Sequence, residues 1–94
     1  MFDVRYKGFR LIPSKSAARE LLKHGLMIAD CEEILENGYE PRKRGKDTIE
    51  KWMDFGNKTY NVVVLKSFNY FYNEDVYLIK HMGKFTKKKL RRQK

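Results

Sequence analysis

The chain has 94 residues, 41% of them hydrophobic and 14% aromatic, which suits one globular domain with a modest core and excludes a disordered chain. Lys and Arg number 21 against 12 Asp and Glu, so the formal net charge is +9. No apolar stretch approaches the roughly 18–20 residues that span a bilayer, the N-terminus lacks a signal-peptide core, and a single cysteine, Cys31, excludes an internal disulfide and a zinc knuckle. We therefore expect a cytoplasmic protein that does not associate with membranes and needs no cofactor.

Residues 2–12 alternate loosely between apolar and polar side chains around Gly8. This pattern predicts a β-strand, or a short hairpin bent at the glycine. Pro13 ends the segment, because proline lacks a backbone donor and restricts the residue before it to extended geometry.

A helix is predicted next, from Ser14 or Ser16 to His24. Either serine can cap the first turn, and Gly25 suits the left-handed conformation that ends a helix. We expect His24 to bond the last helix carbonyls as part of this cap. The predicted buried stripe has i, i+3 and i+4 spacing and consists of Ala18, Leu21 and Leu22.

A second helix is predicted over residues 28–37, closed by Gly38. Its apolar face includes Cys31, which we expect to be a small buried hydrophobic residue. A polar loop over residues 40–47 follows the helix. Four of its eight residues are basic, namely Arg42, Lys43, Arg44 and Lys46.

The second half of the chain predicts three strands, over residues 48–55, 59–66 and 76–82. The middle strand contains four consecutive apolar residues, which favours a central position in the sheet. Gly83 then releases the chain into a basic tail. The predicted order is β-α-α-β-β-β, an α+β domain over residues 1–83 in which two helices pack on one side of an antiparallel sheet.

The tail, residues 84–94, concentrates the positive charge. Seven of the 21 basic residues lie there with no Asp or Glu, which leaves 14 basic against 12 acidic residues in 1–83. Such a segment favours a polyanionic partner, because the binding of Lys and Arg to phosphates releases condensed counterions. The tail therefore predicts a nucleic acid or an anionic surface as partner, but it indicates no chemical reaction.

Several short motifs resemble those of a known group of proteins. They are the ends of the two helices and the apolar centres of two strands, at residues 23–26, 36–38, 62–64 and 77–80. Through them, residues 9–90 resemble the BrnT-like and RelE-like proteins, most of which are toxins of type II toxin–antitoxin pairs. The resemblance implies a RelE-like fold, metal-independent endoribonuclease activity on messenger RNA, in some members only on the ribosome, and a cognate antitoxin protein as partner.

The chain departs from that group at three places. Met27 stands where related sequences usually have a Ser or Thr helix cap, and residues 67–75 form a longer, more aromatic connection. The last strand ends with residues 80–82, Lys-His-Met, where the group often carries Arg.

Metal-independent RNA cleavage needs a base for the 2′-hydroxyl, cations for the phosphorane and an acid for the leaving 5′ oxygen. His81 is the first catalytic candidate, because an imidazole titrates near neutral pH. Arg42 and Arg44 can clamp a phosphate, and Lys66 completes the predicted catalytic set as a phosphate contact. Lys80 alternates to the face opposite His81 unless a bulge directly precedes it.

The predicted nucleic-acid contacts come from the basic loop, the last strand, the tail and an aromatic group. Of Phe68, Tyr70, Phe71 and Tyr72, we expect two to enter the core, while exposed members stack on unpaired bases. The predicted binding residues are Lys43, Lys46, Lys80, Tyr70, Tyr72, Lys84, Lys87, Lys88, Lys89, Arg91 and Arg92.

Two alternatives to an RNA-cleaving toxin stay open at this point. The first is a non-catalytic module on the same fold that binds RNA, the ribosome or DNA, because a fold does not fix a function. The second is a protein-interaction domain whose tail contacts an acidic partner. Steep salt dependence of RNA binding separates the first from the second, since phosphate contacts lose affinity as salt rises.

Overall fold

The computed structural model describes residues 3–86, which fold into two helices and a five-stranded sheet. The α+β class is confirmed. In chain order the elements are β1 (Arg5–Tyr6), β2 (Phe9–Pro13), α1 (Lys15–His24), α2 (Ile28–Asn37), β3 (Thr48–Phe55), β4 (Lys58–Asn69) and β5 (Glu74–Thr86).

The sheet is mixed, with the strand order β1-β2-β5-β4-β3. Its β3–β4, β4–β5 and β1–β2 pairs are antiparallel, whereas β2 and β5 are parallel. The prediction of a purely antiparallel sheet is therefore wrong for one pair. The last strand inserts beside β2, which lies more than 60 residues earlier in the chain, and both helices and strands β3 and β4 lie between the two in sequence. Such long-range pairing leaves no local sequence signal.

The opening segment is a hairpin, as one of the two sequence interpretations had it. Arg5 pairs with Arg10 and Tyr6 with Phe9 across a two-residue turn. Both turn residues, Lys7 and Gly8, have positive φ angles, 54° and 85°, as the tightest hairpin turns require.

Helix α1 begins and ends where the sequence predicts. The Ser14 hydroxyl accepts a hydrogen bond from the Ala17 amide at 3.1 Å, and Gly25 ends the helix with a φ of 67°. The predicted stripe of Ala18, Leu21 and Leu22 is only partly right. Leu21 is buried, but Ala18 is only half-buried and Leu22 is 82% exposed, while Ala17, which was not predicted, is buried. The buried pair is spaced i, i+4, so one narrow face meets the sheet and Leu22 lies beyond it.

His24 does not cap α1 in the predicted way. Its Nε2 atom lies 3.3 Å from the Glu20 carboxylate, one turn earlier on the same helix. The left-handed Gly25 satisfies the end of the helix instead, since its amide donates to carbonyls of the last turn.

Helix α2 has the predicted bounds and buries Cys31, Ile34 and Leu35. The prediction that Cys31 is a buried hydrophobic residue is confirmed by its zero exposure, and burial raises the pKa of its thiol to about 12. Gly38 follows, and a Cβ atom there would lie 2.5 Å from the carbonyl oxygens of Ile34 and Trp52. Glycine at this position thus lets the chain leave the helix in contact with β3.

Both long strands extend further than predicted. Strand β4 begins one residue earlier and runs three residues further than 59–66, and β5 continues past Gly83 to Thr86. Gly83 pairs with Asn61 inside the sheet, so the prediction that it releases the chain into the tail is wrong. Lys84 consequently belongs to a strand. The predicted tail contacts Lys87, Lys88, Lys89, Arg91 and Arg92 lie outside the described residues.

The hydrophobic core lies between the two helices and one face of the sheet. Val62, Val64, Ile79 and Met82 contribute from the central strands, together with residues of both helices. We call the opposite side of the sheet the outer face. Among residues 3–86, no helix combines the length and apolar character that a membrane crossing requires.

Candidate functional site

A β-bulge in β5 sets which side chains reach the outer face. Ile79 pairs with Val64 and His81 pairs with Val63, so Lys80 is an extra residue between two consecutive pairs. Ile79 and Met82 therefore both belong to the core, whereas His81 lies on the outer face and is exposed. The extra residue interrupts the regular alternation of side chains along β5. Lys80 and His81 therefore do not follow the simple alternation between opposite faces that a strand without a bulge imposes.

His81 shares a row of the sheet with Glu50. Val63 of β4 pairs with Glu50 of β3 on one side and with His81 of β5 on the other. Since neighbouring strands are about 4.8 Å apart, the backbones of Glu50 and His81 are separated by roughly 10 Å. His81 and Glu50 thus belong to one row of the outer face.

Glu50 is a buried carboxylate with two hydrogen-bond donors and a second guanidinium close by. It is 3% exposed, and the Trp52 indole nitrogen donates to its Oε2 atom at 2.7 Å. The Nη1 atom of Arg44 lies 3.1 Å from its Oε1 atom, and the Nε atom of Arg42 lies 3.7 Å from the same oxygen.

These contacts keep the Glu50 carboxylate ionised. Burial by itself raises its pKa, because a charged group loses hydration. The hydrogen bonds from Trp52 and Arg44, together with the positive charges of Arg42 and Arg44, outweigh burial, and the pKa is lowered from its usual range. Glu50 therefore acts as a fixed anion that positions two guanidinium groups.

Tyr39 and Phe85 fix Trp52. Main-chain hydrogen bonds of 2.8 Å join Tyr39 and Trp52 in both directions, which ties the start of the basic loop to β3. The Phe85 ring meets the indole edge-on at 5.5 Å between centroids. With Trp52 held on two sides, the donor to Glu50 is oriented before any ligand arrives.

The absence of a side chain at Gly83 makes room for two polar side chains, Asn61 and His81, and we call this contact the Gly83 notch. A Cβ atom at this position would collide with the Asn61 carboxamide oxygen and would lie 2.9 Å from His81 Nε2. The two side chains thus already fill the space above the glycine and are held close together there. From this position the imidazole can exchange a proton with a hydroxyl group, and the carboxamide can donate a hydrogen bond to a phosphate oxygen.

These side chains form what we call the outer-face site, whose members share the sheet face opposite the helices: Arg42, Arg44, Glu50, Trp52, Asn61, His81 and Gly83. No protein-family model, no curated protein and no solved structure matches this chain. What the site can do is therefore argued from its own residues.

The structure brings together three of the four predicted catalytic residues. His81, Arg42 and Arg44 belong to the outer-face site. Lys66 does not, because it pairs with Tyr77 on the helix side of the sheet and its ammonium lies 4.5 Å from the centre of the Phe9 ring. A phosphate bound beside His81 is out of reach of Lys66.

The predicted aromatic contacts lie at the far end of the β4–β5 hairpin. None of the four aromatic residues is buried, so the prediction that two enter the core is wrong, and Tyr70 and Phe71 are 87% and 86% exposed. The rings form two edge-to-face pairs, Phe68 with Tyr70 and Phe71 with Tyr72, and the Arg10 guanidinium lies 3.8 Å from the centre of the Tyr72 ring. Six residues of strand separate Val63 from the end of β4, about 20 Å.

The remaining predicted lysines are dispersed. Lys80 is exposed at the bulge, and Lys84 lies on the helix side of β5 with its ammonium 5.9 Å from the Tyr60 ring centre. Lys43 and Lys46 line a pocket on the helix side of β3, away from Glu50. They can bind a nucleic acid only by a surface separate from the outer-face site.

Sequence reasoning missed Glu50, Trp52, Asn61 and Gly83. Only Glu50 had a signal, since it is an acid just after four basic residues and lies on the polar side of an alternating strand. That position indicates a solvated side chain, because the pattern does not show that the loop folds back over it. Asn61 and Gly83 have no local signal at all.

Proposed function

We propose that this protein cleaves single-stranded RNA without a metal ion, as a cytoplasmic toxin of the BrnT-like and RelE-like kind held inactive by a cognate antitoxin. The observation that carries the proposal is that His81 lies on the same sheet face as Glu50, against which Arg42 and Arg44 lie. The family part rests on the sequence resemblance alone.

His81 is the proposed general base. In this reaction its imidazole takes the proton from a 2′-hydroxyl, and that oxygen forms a bond to the adjacent phosphorus while the bond to the 5′ oxygen breaks. The leaving 5′ oxygen takes a proton from a nearby acid, for which the exposed Lys80 ammonium is the neighbouring candidate. The products are a 2′,3′-cyclic phosphate and a 5′-hydroxyl end.

Arg42 and Arg44 are the proposed stabilisers of the phosphorane. Their side chains are 61% and 40% exposed, and each lies against Glu50 through one nitrogen. A guanidinium carries five N–H donors, so donors remain for a phosphate after the carboxylate is satisfied. Glu50 thereby fixes the position of the two cations in advance, which lowers the cost of assembling the charged transition state.

A second candidate function is RNA binding without cleavage. The exposed rings of Tyr70 and Phe71 favour it, because aromatic side chains stack on unpaired bases of any sequence. Such binding needs neither His81 nor the notch. The two functions therefore predict different effects of the same substitutions on RNA binding and on RNA cleavage.

The test compares cleavage and binding for the same variants. Purified protein is incubated with end-labelled single-stranded RNA in excess chelator, and His81→Ala is expected to slow cleavage by roughly 100-fold or more while leaving the dissociation constant within a few fold. Arg42→Ala is expected to slow cleavage with little change in stability, since Arg42 is the more exposed partner of Glu50.

Lys66→Ala is the matched control, because Lys66 was predicted catalytic from sequence but lies on the other side of the sheet. It should cut at the wild-type rate. If the wild-type protein binds RNA but leaves it intact, and His81→Ala binds equally well, the non-catalytic function is correct. Induction of the gene alone should also arrest growth if the toxin assignment holds.

A further inference from the structure

A polar pocket of about 250 Å³ lies on the helix side of β3, away from the outer-face site. Tyr6 and Lys7 line it from the β1 hairpin, and residues of β3 and of the loop before it line the other side. β1 and β3 are the two edge strands of the sheet. The curl of the sheet around α2 therefore brings its two edges to opposite sides of one pocket.

The pocket is strongly basic. Its lining includes one acidic residue, Glu40, and four lysines. We call these four lysines the lysine pocket set: Lys7, Lys43, Lys46 and Lys51. Within residues 3–86, none of these four lysines forms an ion pair. Four lysines around one small space concentrate positive charge there, which favours the binding of an anion.

Neutral donors complete the lining. Thr48 and Tyr6 each bring a hydroxyl group to the pocket. Burial, and then the negative charges of Glu36 and Glu40 among other groups, raise the pKa of Tyr6, so its phenol stays a protonated donor. Ammonium and hydroxyl donors with almost no competing carboxylate match an oxyanion with several acceptor oxygens.

We infer that the lysine pocket set binds a phosphate group of a nucleic acid strand. The inference rests on the proposed function for the identity of the ligand as RNA, but the preference for phosphate follows from the pocket alone. This set of donors can bind either a terminal phosphate or an internal phosphodiester. An experiment distinguishes the two.

The basic loop connects this pocket to the outer-face site. Arg42 and Arg44 lie against Glu50 on the outer face, while Lys43 and Lys46 line the pocket on the helix side. Successive basic residues of one loop thus serve opposite sides of β3. A strand of RNA with its reacting phosphate near His81 can cross the edge of the sheet and place a phosphate a few nucleotides away among the lysines.

The experiment measures binding of a fluorescent 2′-O-methyl RNA, which lacks the attacking hydroxyl and so stays intact. The variant is Lys46→Gln with Lys51→Gln, which removes one charge from the loop and one from β3. The matched control is Lys15→Gln with Lys23→Gln, because both are exposed lysines of α1. Affinity is measured at salt concentrations from about 50 to 200 mM.

The pocket variant is expected to reduce the magnitude of the slope of log affinity against log salt by about 0.7, since the pocket is inferred to hold one phosphate and each phosphate contact on a single strand contributes about 0.7. The control pair should keep the wild-type slope. A pocket variant whose slope equals that of the control overturns the inference. Both variants replace exposed or half-exposed side chains, so circular dichroism should show an unchanged fold.

A second arm identifies the source of the phosphate. The same RNA is compared with a 5′-phosphate and with a 5′-hydroxyl. Tighter binding of the phosphorylated strand that disappears in the pocket variant assigns a terminal phosphate, and equal binding of both strands with a reduced slope assigns an internal phosphodiester. The two proposals can also fail separately. If ordinary RNA stays uncut but the pocket variant still has a smaller salt slope, the proposed cleavage is refuted and the phosphate-binding pocket is supported.

Discussion

Glu50 and His81 lie in one row of the sheet, with only Val63 between them. The two residues differ in their surroundings: Glu50 is buried and accepts hydrogen bonds from Trp52 and Arg44, whereas His81 is exposed and lies beside Gly83. The two ends of this row therefore have different roles in the proposed site. Glu50 fixes the cations, and His81 is available to react. Because both are carried by paired strands, their separation is set by the sheet rather than by a mobile loop.

Glu50→Gln should destabilise the protein and alter its response to acid. The change removes the charge that holds Arg42 and Arg44, and we expect a loss of about 1–3 kcal/mol in the free energy of unfolding at neutral pH. The lowered pKa of Glu50 means that its contribution is fully present above its ordinary value and is lost as pH falls through the lowered value. Wild type should lose stability in this acid range more steeply than the variant.

Urea unfolding monitored through Trp52 at several pH values measures both effects. Glu33→Gln is the matched control, since Glu33 is an exposed acid on α2. It should unfold at the wild-type denaturant concentration. Equal stability of wild type and Glu50→Gln at neutral pH, or parallel acid limbs for the two, contradicts the role given to Glu50.

Gly83→Ala should impair function more than stability. The added methyl group meets the ends of two side chains, Asn61 and His81, rather than backbone atoms, so the sheet can stay intact while both side chains move. A displacement of about 1 Å at a reacting group slows an enzyme by up to roughly 100-fold. We expect a large decrease in RNA cleavage with a melting temperature close to that of wild type.

Gly45→Ala is the control for this substitution. A Cβ atom at Gly45 meets nothing within 4 Å and its φ is not positive, so the methyl group should be tolerated. Because Gly45 also lines the pocket that holds the lysines, the two variants are compared in the same cleavage assay at saturating RNA, where weaker binding does not lower the rate. If Gly83→Ala cuts RNA as fast as Gly45→Ala, the notch has no part in the reaction.

Cys31 should report on unfolding. It has no exposed surface and burial raises the pKa of its thiol to about 12, so almost no thiolate is present or accessible in the native state. A thiol reagent at mildly alkaline pH is expected to label the protein only in denaturant. Rapid labelling of the native protein would show that α2 detaches from the sheet far more often than its packing implies.

Local signals explain what the sequence predicted correctly. Ser14, Gly25 and Gly38 mark helix ends through groups within a few residues, and both helices have the predicted bounds. His81 and the arginines of the loop were selected by residue type, which is also local information. These features need no knowledge of distant parts of the chain.

The errors share a different cause. The parallel neighbour of β5, its extension past Gly83 and the bulge at Lys80 all depend on pairing between distant segments. Glu50 was missed for the same reason, because its burial comes from a loop that returns across β3 after Tyr39 pairs with Trp52. An alternating pattern identifies a strand and its two faces, but it does not identify what covers them.

The bulge makes a final prediction about single-residue deletions in β5. Deletion of Lys80 removes the extra residue and leaves Ile79 opposite Val64 and His81 opposite Val63, now in a regular strand. Deletion of Leu78 removes a paired residue instead, and the register can then be restored only by moving Ile79 to the outer face and Lys80 into the core.

The two deletions should therefore differ sharply although they lie two residues apart. We expect loss of Lys80 to cost about 1 kcal/mol or less, as for an exposed position, and loss of Leu78 to cost about 2–5 kcal/mol or more, because Ile79 has no exposed surface in the native protein. Thermal unfolding of the two proteins measures the difference. Equal destabilisation by both deletions would mean that the extra residue is not at Lys80, and His81 would then lose the register that places it beside the notch.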